Sequence, residues 1–322
     1  MSNYIKHAHQ WKCDFAGKSA ILLKPGEGYE WHFDNLDFAE KMYQIGAKIQ
    51  IPTTINAISV DRENWQSQGV VPDFGAKASR LADAYVNMGA RPTFTCAPYL
   101  LDDAPAEGEA IGWSESNAVI YANSILGART QKHPDYLDLF IAMTGRAPHV
   151  GVYLAKNRLP DCEVRVQLPA TFDDAIWPML GWLAGARSPN GIPVLTGLET
   201  VSPTSDDLKA LCAAFGTTSA APLLHIRGHT PESQLLPRPG ADPFDITVAH
   251  LARLWRDFNA ADECVDLVAI GSPHASLSEC RNFANYLDGK TCDRDTKTII
   301  TVGRDVLSQA VKEGLVARLD KA

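Results

Sequence analysis

IPVLTGLETVSPTSDDLKALCAAFGTTSAAPLLHI, residues 192–226, decides the fold. Ile192–Thr196 and Pro222–Ile226 are short apolar runs that read as strands, and Ser205–Phe215 between them reads as a helix. Thr204 or Ser205 suits the helix cap ahead of Asp206 and Asp207; Ser202 is the alternative, with Pro203 then at the first helical position. The rhythm continues outward. Val265–Ile270 and Thr298–Val302 predict further strands, and Thr247–Phe258, Leu277–Leu287 and Asp305–Glu313 further helices. Alternation of this kind predicts an α/β fold with mostly parallel sheets. Towards the N-terminus, Ala47–Pro52 and Pro92–Cys96 read as strands, and Ser116–Leu126 reads as a helix. Lys77–Met88 has helical periodicity, with Leu81, Ala84, Tyr85 and Met88 on one face and Gly89 as the stop. Thr144–His149 breaks a helix, which predicts two lobes, 1–146 and 147–322.

Composition narrows the function. The 322 residues are 45% hydrophobic, enough for a sizeable core in two lobes. A net charge of −8 with 21% charged residues gives no basic footprint, so nucleic acid is not an expected partner. No apolar run reaches the roughly 20 residues that a membrane helix needs. Met1–Gln10 has no apolar signal core, and the seven cysteines form no CxxC pair. Reduced thiols and a cytoplasmic location are therefore expected.

Polar clusters follow several of these elements. PTTIN (Pro52–Asn56) offers two hydroxyls and the Asn56 amide, either for a carboxylate or hydroxyl ligand or for a capped turn. In TCAPY (Thr95–Tyr99), Cys96 suits an iron ligand, a nucleophile or a small buried residue. GWSESNAVIYANSILGART (Gly112–Thr130) crowds Ser114, Glu115, Ser116 and Asn117 at a helix start. Helix capping explains part of that pattern; anion binding by free amides, with Arg129 as a carboxylate clamp, is the other reading. Asn123 and Ser124, which interrupt the helix, are left unexplained by capping. Thr217, Thr218 and Ser219 precede a strand, and His225 and His229 follow at its end. Gly228 and Pro231 argue against a helical HxxxH metal pair, leaving His229 as an acid–base candidate or a surface-loop residue. In GSPHAS (Gly271–Ser276), Ser272 and His274 suit a cleft at the strand end, while Ser276 and Glu279 read as a capping box.

Taken in order, PTTIN, TCAPY, GWSESNAVIYANSILGART, TGRAP, LTGLE, TTSAAPLLHIRGHTPE and GSPHAS resemble the aconitase X family over roughly residues 36 to 318. The resemblance implies an aconitase-like three-layer α/β/α catalytic part, iron or an iron–sulfur cluster, and a small swivelling domain, fused or as a separate subunit, that closes the site. Members dehydrate cis-3-hydroxy-L-proline or phosphomevalonate. Cys96 matches a cluster ligand of the family. Ser272 stands where the phosphomevalonate branch has a second cysteine ligand, so the resemblance implies the hydroxyproline branch. Asn56, Ser114, Glu115, Ser116, Asn117, Arg129, Thr218, Ser219 and His274 are the expected substrate contacts, with His229 or Ser272 as the acid–base group. Met1–Glu30 matches poorly, a further family cysteine lies beyond Ala322, and no swivelling domain is present, so an incomplete catalytic subunit is expected. The other classes are a scaffold subunit without turnover and an unrelated α/β protein that binds a small carboxylate.

Overall fold

The computed structural model describes residues 2–4, 8–10, 34–113, 115–134, 136–240, 242–260 and 264–321. The chain forms two compact units. The first comprises Met1–Phe94, Ala110–Glu115 and His133–Pro148; the second comprises Thr95–Glu109, Ser116–Lys132 and His149–Ala322. The last crossing, Pro148 to His149, falls within the helix-breaking stretch 144–149, and two earlier segments, 95–109 and 116–132, also belong to the second unit.

In the first unit, strands β1 (Ser2–Tyr4) and β2 (Ala8–Gln10) precede helix α1 (Asp34–Gln44), strand β3 (Thr53–Ile55), helix α2 (Pro72–Met88) and strand β4 (Gly112–Trp113). The chain then contributes α3 (Ser116–Ser124) to the second unit and returns as α4 (Leu137–Thr144) and β5 (Arg146–Pro148). β2 lies between β3 and β4 and is parallel to both, while β1 pairs antiparallel with β5. Leu36 and Ala39 of α1, Ile55 of β3, Leu81, Tyr85 and Met88 of α2, and Leu139 of α4 form one core. The apolar face expected of Leu81, Ala84, Tyr85 and Met88 is buried throughout. α2 starts earlier than its periodicity suggests, because Pro72 occupies the first turn, where a missing N–H costs nothing.

Two expected strands are corrected here. Ala47–Pro52 is not a strand: Ile49 N–H bonds Met88 O (2.9 Å) and Gln50 N–H bonds Ala142 O (3.0 Å), so its donors go to helix ends. The strand is the buried, β-branched Thr53–Ile55 directly after Pro52, which finds its partner 45 positions away (Ala8 with Thr53). Pro92–Cys96 is also not a strand: Arg91 makes one isolated bridge to Thr54, and Phe94 has φ +44°.

The second unit continues with β6 (Cys162–Val166), α5 (Ile176–Arg187), β7 (Pro193–Thr196), α6 (Ser205–Thr218), β8 (His225–Ile226), β9 (Phe244–Ile246) and α7 (Val248–Phe258). These strands make a parallel sheet of order β8-β7-β6-β9. β10 (Leu267–Ala275), α8 (Leu277–Tyr286), β11 (Lys297–Val302), α9 (Arg304–Lys312) and α10 (Leu315–Leu319) follow, with β10 and β11 parallel. Ala275, Cys280, Ala284, Ala310 and Leu315 form the core between this pair and its helices. The fold is thus of the expected α/β class with parallel sheets. Thr204 caps α6 and Ser276 caps α8, each in a full capping box. No helix among the described residues is long and apolar enough to cross a membrane.

Candidate active site

The expected strand Val265–Ile270 does not end before GSPHAS. β10 runs on to Ala275, and its register against β11 shifts between Ile270 and Ala275. Gly271 makes the shift possible: it has φ +110°, and a Cβ there would lie 2.3 Å from Thr301 O. The shifted segment carries Ser272, Pro273 after a cis peptide bond, and His274. His274 N–H donates to Cys96 Sγ at 3.2 Å, across 178 residues of sequence. A Cβ on Gly303, just past β11, would lie 3.5 Å from Thr95 Oγ1. Cys96 therefore sits at the carboxyl ends of a parallel strand pair, where α/β folds place ligand groups.

Asn117, in the first turn of α3, holds the cysteine loop from the other side. Its Nδ2 donates to Cys96 O (3.2 Å), and its Oδ1 accepts from Tyr99 Oη (2.9 Å). Tyr99 in turn stacks on Tyr121, with ring centroids 4.1 Å apart. These two bonds make Asn117 a holder of the Cys96 loop. His274 Nδ1 is buried and makes no hydrogen bond among the described residues. Burial first, and the Lys209 charge second, push its imidazole pKa down to about 4, so the ring is neutral at neutral pH. The Ser272 hydroxyl is exposed on the same turn, and Ser116 is partly exposed at the start of α3.

Other expected site residues have structural partners. Thr218 Oγ1 donates to Trp182 O (3.0 Å), and Ser219 Oγ donates to Ser188 O (2.6 Å). Both hydroxyls thus tie the C-terminal end of α6 to α5, and Ser219 O accepts from Lys132 Nζ (2.8 Å). Burial lowers the Lys132 pKa to about 8. Arg129 Nη1 donates to Tyr153 O (3.1 Å). His229 Nε2 bonds Leu198 O (2.8 Å) and His225 Nε2 bonds Arg158 O (2.8 Å), so the two rings serve different carbonyls. Asn56 follows β3 and Glu115 is buried, both in the first unit. Ser114 lies outside the described residues.

Asn123 and Ser124 now have a reason. Asn123 Nδ2 donates to Thr130 O (3.0 Å) and Pro222 O (2.9 Å), while its Oδ1 accepts from Thr130 N–H (3.0 Å) and Arg158 Nη1 (3.1 Å). Ser124 Oγ accepts from Leu224 N–H (3.0 Å). α3 ends on these two polar residues, short of the expected Leu126, and two loops are fastened to it there.

Sequence reasoning missed Lys209, which is 3% exposed in α6. Its Nζ donates to Glu279 Oε2 and to His274 O (3.3 Å), and pairs with Asp206 Oδ1 (3.4 Å). A lysine one residue from Leu208 in an amphipathic helix reads as a solvated edge; nothing local marks it as buried.

A half-buried thiol beside a residue with an unbonded, neutral imidazole nitrogen offers donor types that suit iron, and Cys96 is the residue that would hold it. The described residues hold no group of three or more His, Cys, Asp or Glu side chains arranged for a metal.

Family models described as the Aconitase X first, second and third domains match residues 25–156, 160–256 and 265–322. The cis-3-hydroxy-L-proline dehydratase of Hypocrea jecorina is 43% identical over 298 residues, which is 89% of this chain and 50% of the relative. The chain thus spans half the length of that relative. The phosphomevalonate dehydratase large subunit of Methanothermobacter thermautotrophicus is 33% identical over 271 residues, 83% of this chain and 67% of the relative. A crystal structure of Thermococcus kodakaraensis aconitase X, in its holo form, superposes with a TM-score of 0.83 at 27% identity, covering 99% of this chain and 76% of that one.

Proposed function

The chain belongs to the aconitase X family, and from that membership we propose that it is the catalytic part of a hydro-lyase that removes water from a small hydroxy acid, cis-3-hydroxy-L-proline before others. The observation that carries the substrate is the 43% identity to a cis-3-hydroxy-L-proline dehydratase over 89% of the chain. The identity to the phosphomevalonate dehydratase large subunit of Methanothermobacter thermautotrophicus is lower, at 33%.

The reaction is a β-elimination. The proton leaves the carbon that bears the carboxylate, the bond to the hydroxyl on the neighbouring carbon breaks, and the two leave as water. Iron, when bound, supplies Lewis acidity toward a departing hydroxyl. The chain's own part is to present Cys96 Sγ in a fixed place, held by the His274 amide and by Asn117 at the Cys96 carbonyl. The neutral ring of His274, the residue whose amide meets the thiol, has a buried, unbonded Nδ1. Ser116 and Ser272 offer hydroxyls for the substrate, and Ser272 is the acid–base candidate. His229 is held by the Leu198 carbonyl and takes second place in that role. A small swivelling subunit or domain is the proposed partner that closes the site, and the cytoplasm is the proposed location.

The test is turnover of cis-3-hydroxy-L-proline by anaerobically purified protein, with and without a candidate small subunit, and iron assayed on the same sample. Pyrroline carboxylate as product is expected. A binding-only response, thermal stabilisation by the acid with no water loss and no iron, would overturn the reading in favour of a carboxylate-binding protein. In the active assembly, Cys96→Ala is expected to lower bound iron at least about tenfold and turnover with it; undiminished iron would remove Cys96 from the ligand set.

A further inference from the structure

We infer that Lys209 is a positioning residue: it clamps the backbone of the Ser272–His274 turn so that the His274 amide stays aimed at the Cys96 sulfur. The inference rests on the proposed role of Cys96 as an iron ligand. The segment between Ile270 and Ala275 is where the β10–β11 register shifts, so the ladder does not fix it there. Its anchors lie elsewhere. On the amide side, His274 N–H donates to Cys96 Sγ (3.2 Å); on the carbonyl side, His274 O accepts from Lys209 Nζ (3.3 Å). The two peptide groups flanking one residue are therefore gripped from opposite directions.

The lysine is built for this. An ammonium has three donors, and the structure gives this one three acceptors: Glu279 Oε2, Asp206 Oδ1 and His274 O. The helix α8 cap does not depend on it, because Ser276 and Glu279 satisfy each other's amides (2.8 and 3.1 Å). Ser276 Oγ also donates to Asp206 Oδ2 (2.9 Å), which ties α6 to the same turn. The carboxylates neutralise the buried cation, and the remaining N–H is left for the His274 carbonyl. N–H groups that donate to a ligand sulfur belong to the shell that fixes a metal's donors, and their loss commonly weakens metal binding 10- to 100-fold, on the order seen for outer-shell partners.

Lys209→Met alone strands two half-buried carboxylates and risks unfolding. The decisive variant is therefore Lys209→Met with Asp206→Asn and Glu279→Gln, which keeps the acceptors on Ser276 while removing the charges together. Two quantities are read on the full chain: hydrogen exchange of the His274 amide in the metal-free protein, and ferrous-iron affinity by chelator competition. The folded variant is expected to exchange the His274 amide at least about tenfold faster and to bind iron about tenfold more weakly. A folded variant whose His274 amide exchanges at the wild-type rate overturns the inference. Faster exchange with unchanged iron affinity overturns the claim that the clamp serves the sulfur. Wild-type chain that takes up no iron sinks the iron reading instead, and the exchange rates still decide whether Lys209 holds the turn.

Discussion

Arg158→Met is expected to destabilise the protein by about 3 kcal/mol, the low end of the loss seen when one partner of a buried charge pair is removed, because the cation is buried and its carboxylate only half so. Arg158 is fully buried. Its Nε donates to Glu232, Nη1 donates to Asn123 Oδ1 (3.1 Å) and Val152 O (3.2 Å), and Nη2 donates to Asn123 O (2.9 Å). Its own carbonyl accepts from His225 (2.8 Å). Methionine matches the length but donates nothing. It strips the buried Asn123 and Val152 carbonyls of their donor, each at the cost of an unsatisfied buried group, and leaves the half-buried Glu232 carboxylate without its cation. Urea unfolding followed by far-UV circular dichroism gives the difference directly. Adding Glu232→Gln should recover part of it, since the stranded charge is then gone. A loss below about 1 kcal/mol for the single variant would mean that the loops around Asn123 relax to water, and that the hub is not a fixed point.

The second large effect is expected at Gly181. α5 and α6 approach so closely that a Cβ on Gly181 would sit 2.1 Å from Leu211 O and 3.0 Å from Phe215 N. Both obstacles are backbone, which no rotamer change can move. A Cβ on Gly185, one turn on, would lie 2.1 Å from Thr218 Oγ1 and 2.9 Å from Phe215 O. Alanine at 181 must push the helices apart, at about 1–3 kcal/mol or more, and valine should exceed that. Thermal unfolding of the alanine and valine variants should show the graded loss. Equal stability of Gly181→Ala and wild type would show that the helix pair shifts freely, and the tight crossing would carry no energetic weight.

The α6 strand–helix unit and its neighbours were legible in the sequence because capping residues stand directly before apolar periodic runs. Of the three caps the sequence offers α6, Thr204 is the one used, in a box with Asp207, and Ser276 caps α8 in the expected box with Glu279. α5 was not legible. IWPMLGWLAGAR contains a proline and two glycines, which read as breakers, yet Pro178 falls in the first turn and the glycines serve the contact with α6. Strand limits failed where tertiary partners set them: β3 starts after Pro52, and its pairing depends on residues 8–10. The candidate site was legible by composition but not by role. Cys96, Asn117 and His274 do come together, through a backbone amide and an amide-to-carbonyl bond that no motif spacing encodes. Thr218, Ser219 and Arg129, expected as substrate contacts from the family resemblance, also bond distant carbonyls, partners that are invisible in one dimension.

Because the segment of Ser272 and His274 follows directly on the paired stretch Leu267–Ile270, the ladder fixes where that segment starts and the grips on His274 fix where it ends. A residue removed or added between 267 and 270 would draw the whole segment along by about 3.3 Å and turn each side chain to the opposite face. Length in that stretch is therefore a tighter constraint than chemistry: homologous exchanges among its exposed positions are tolerable, whereas a single-codon insertion or deletion would deliver a different peptide group to the cysteine.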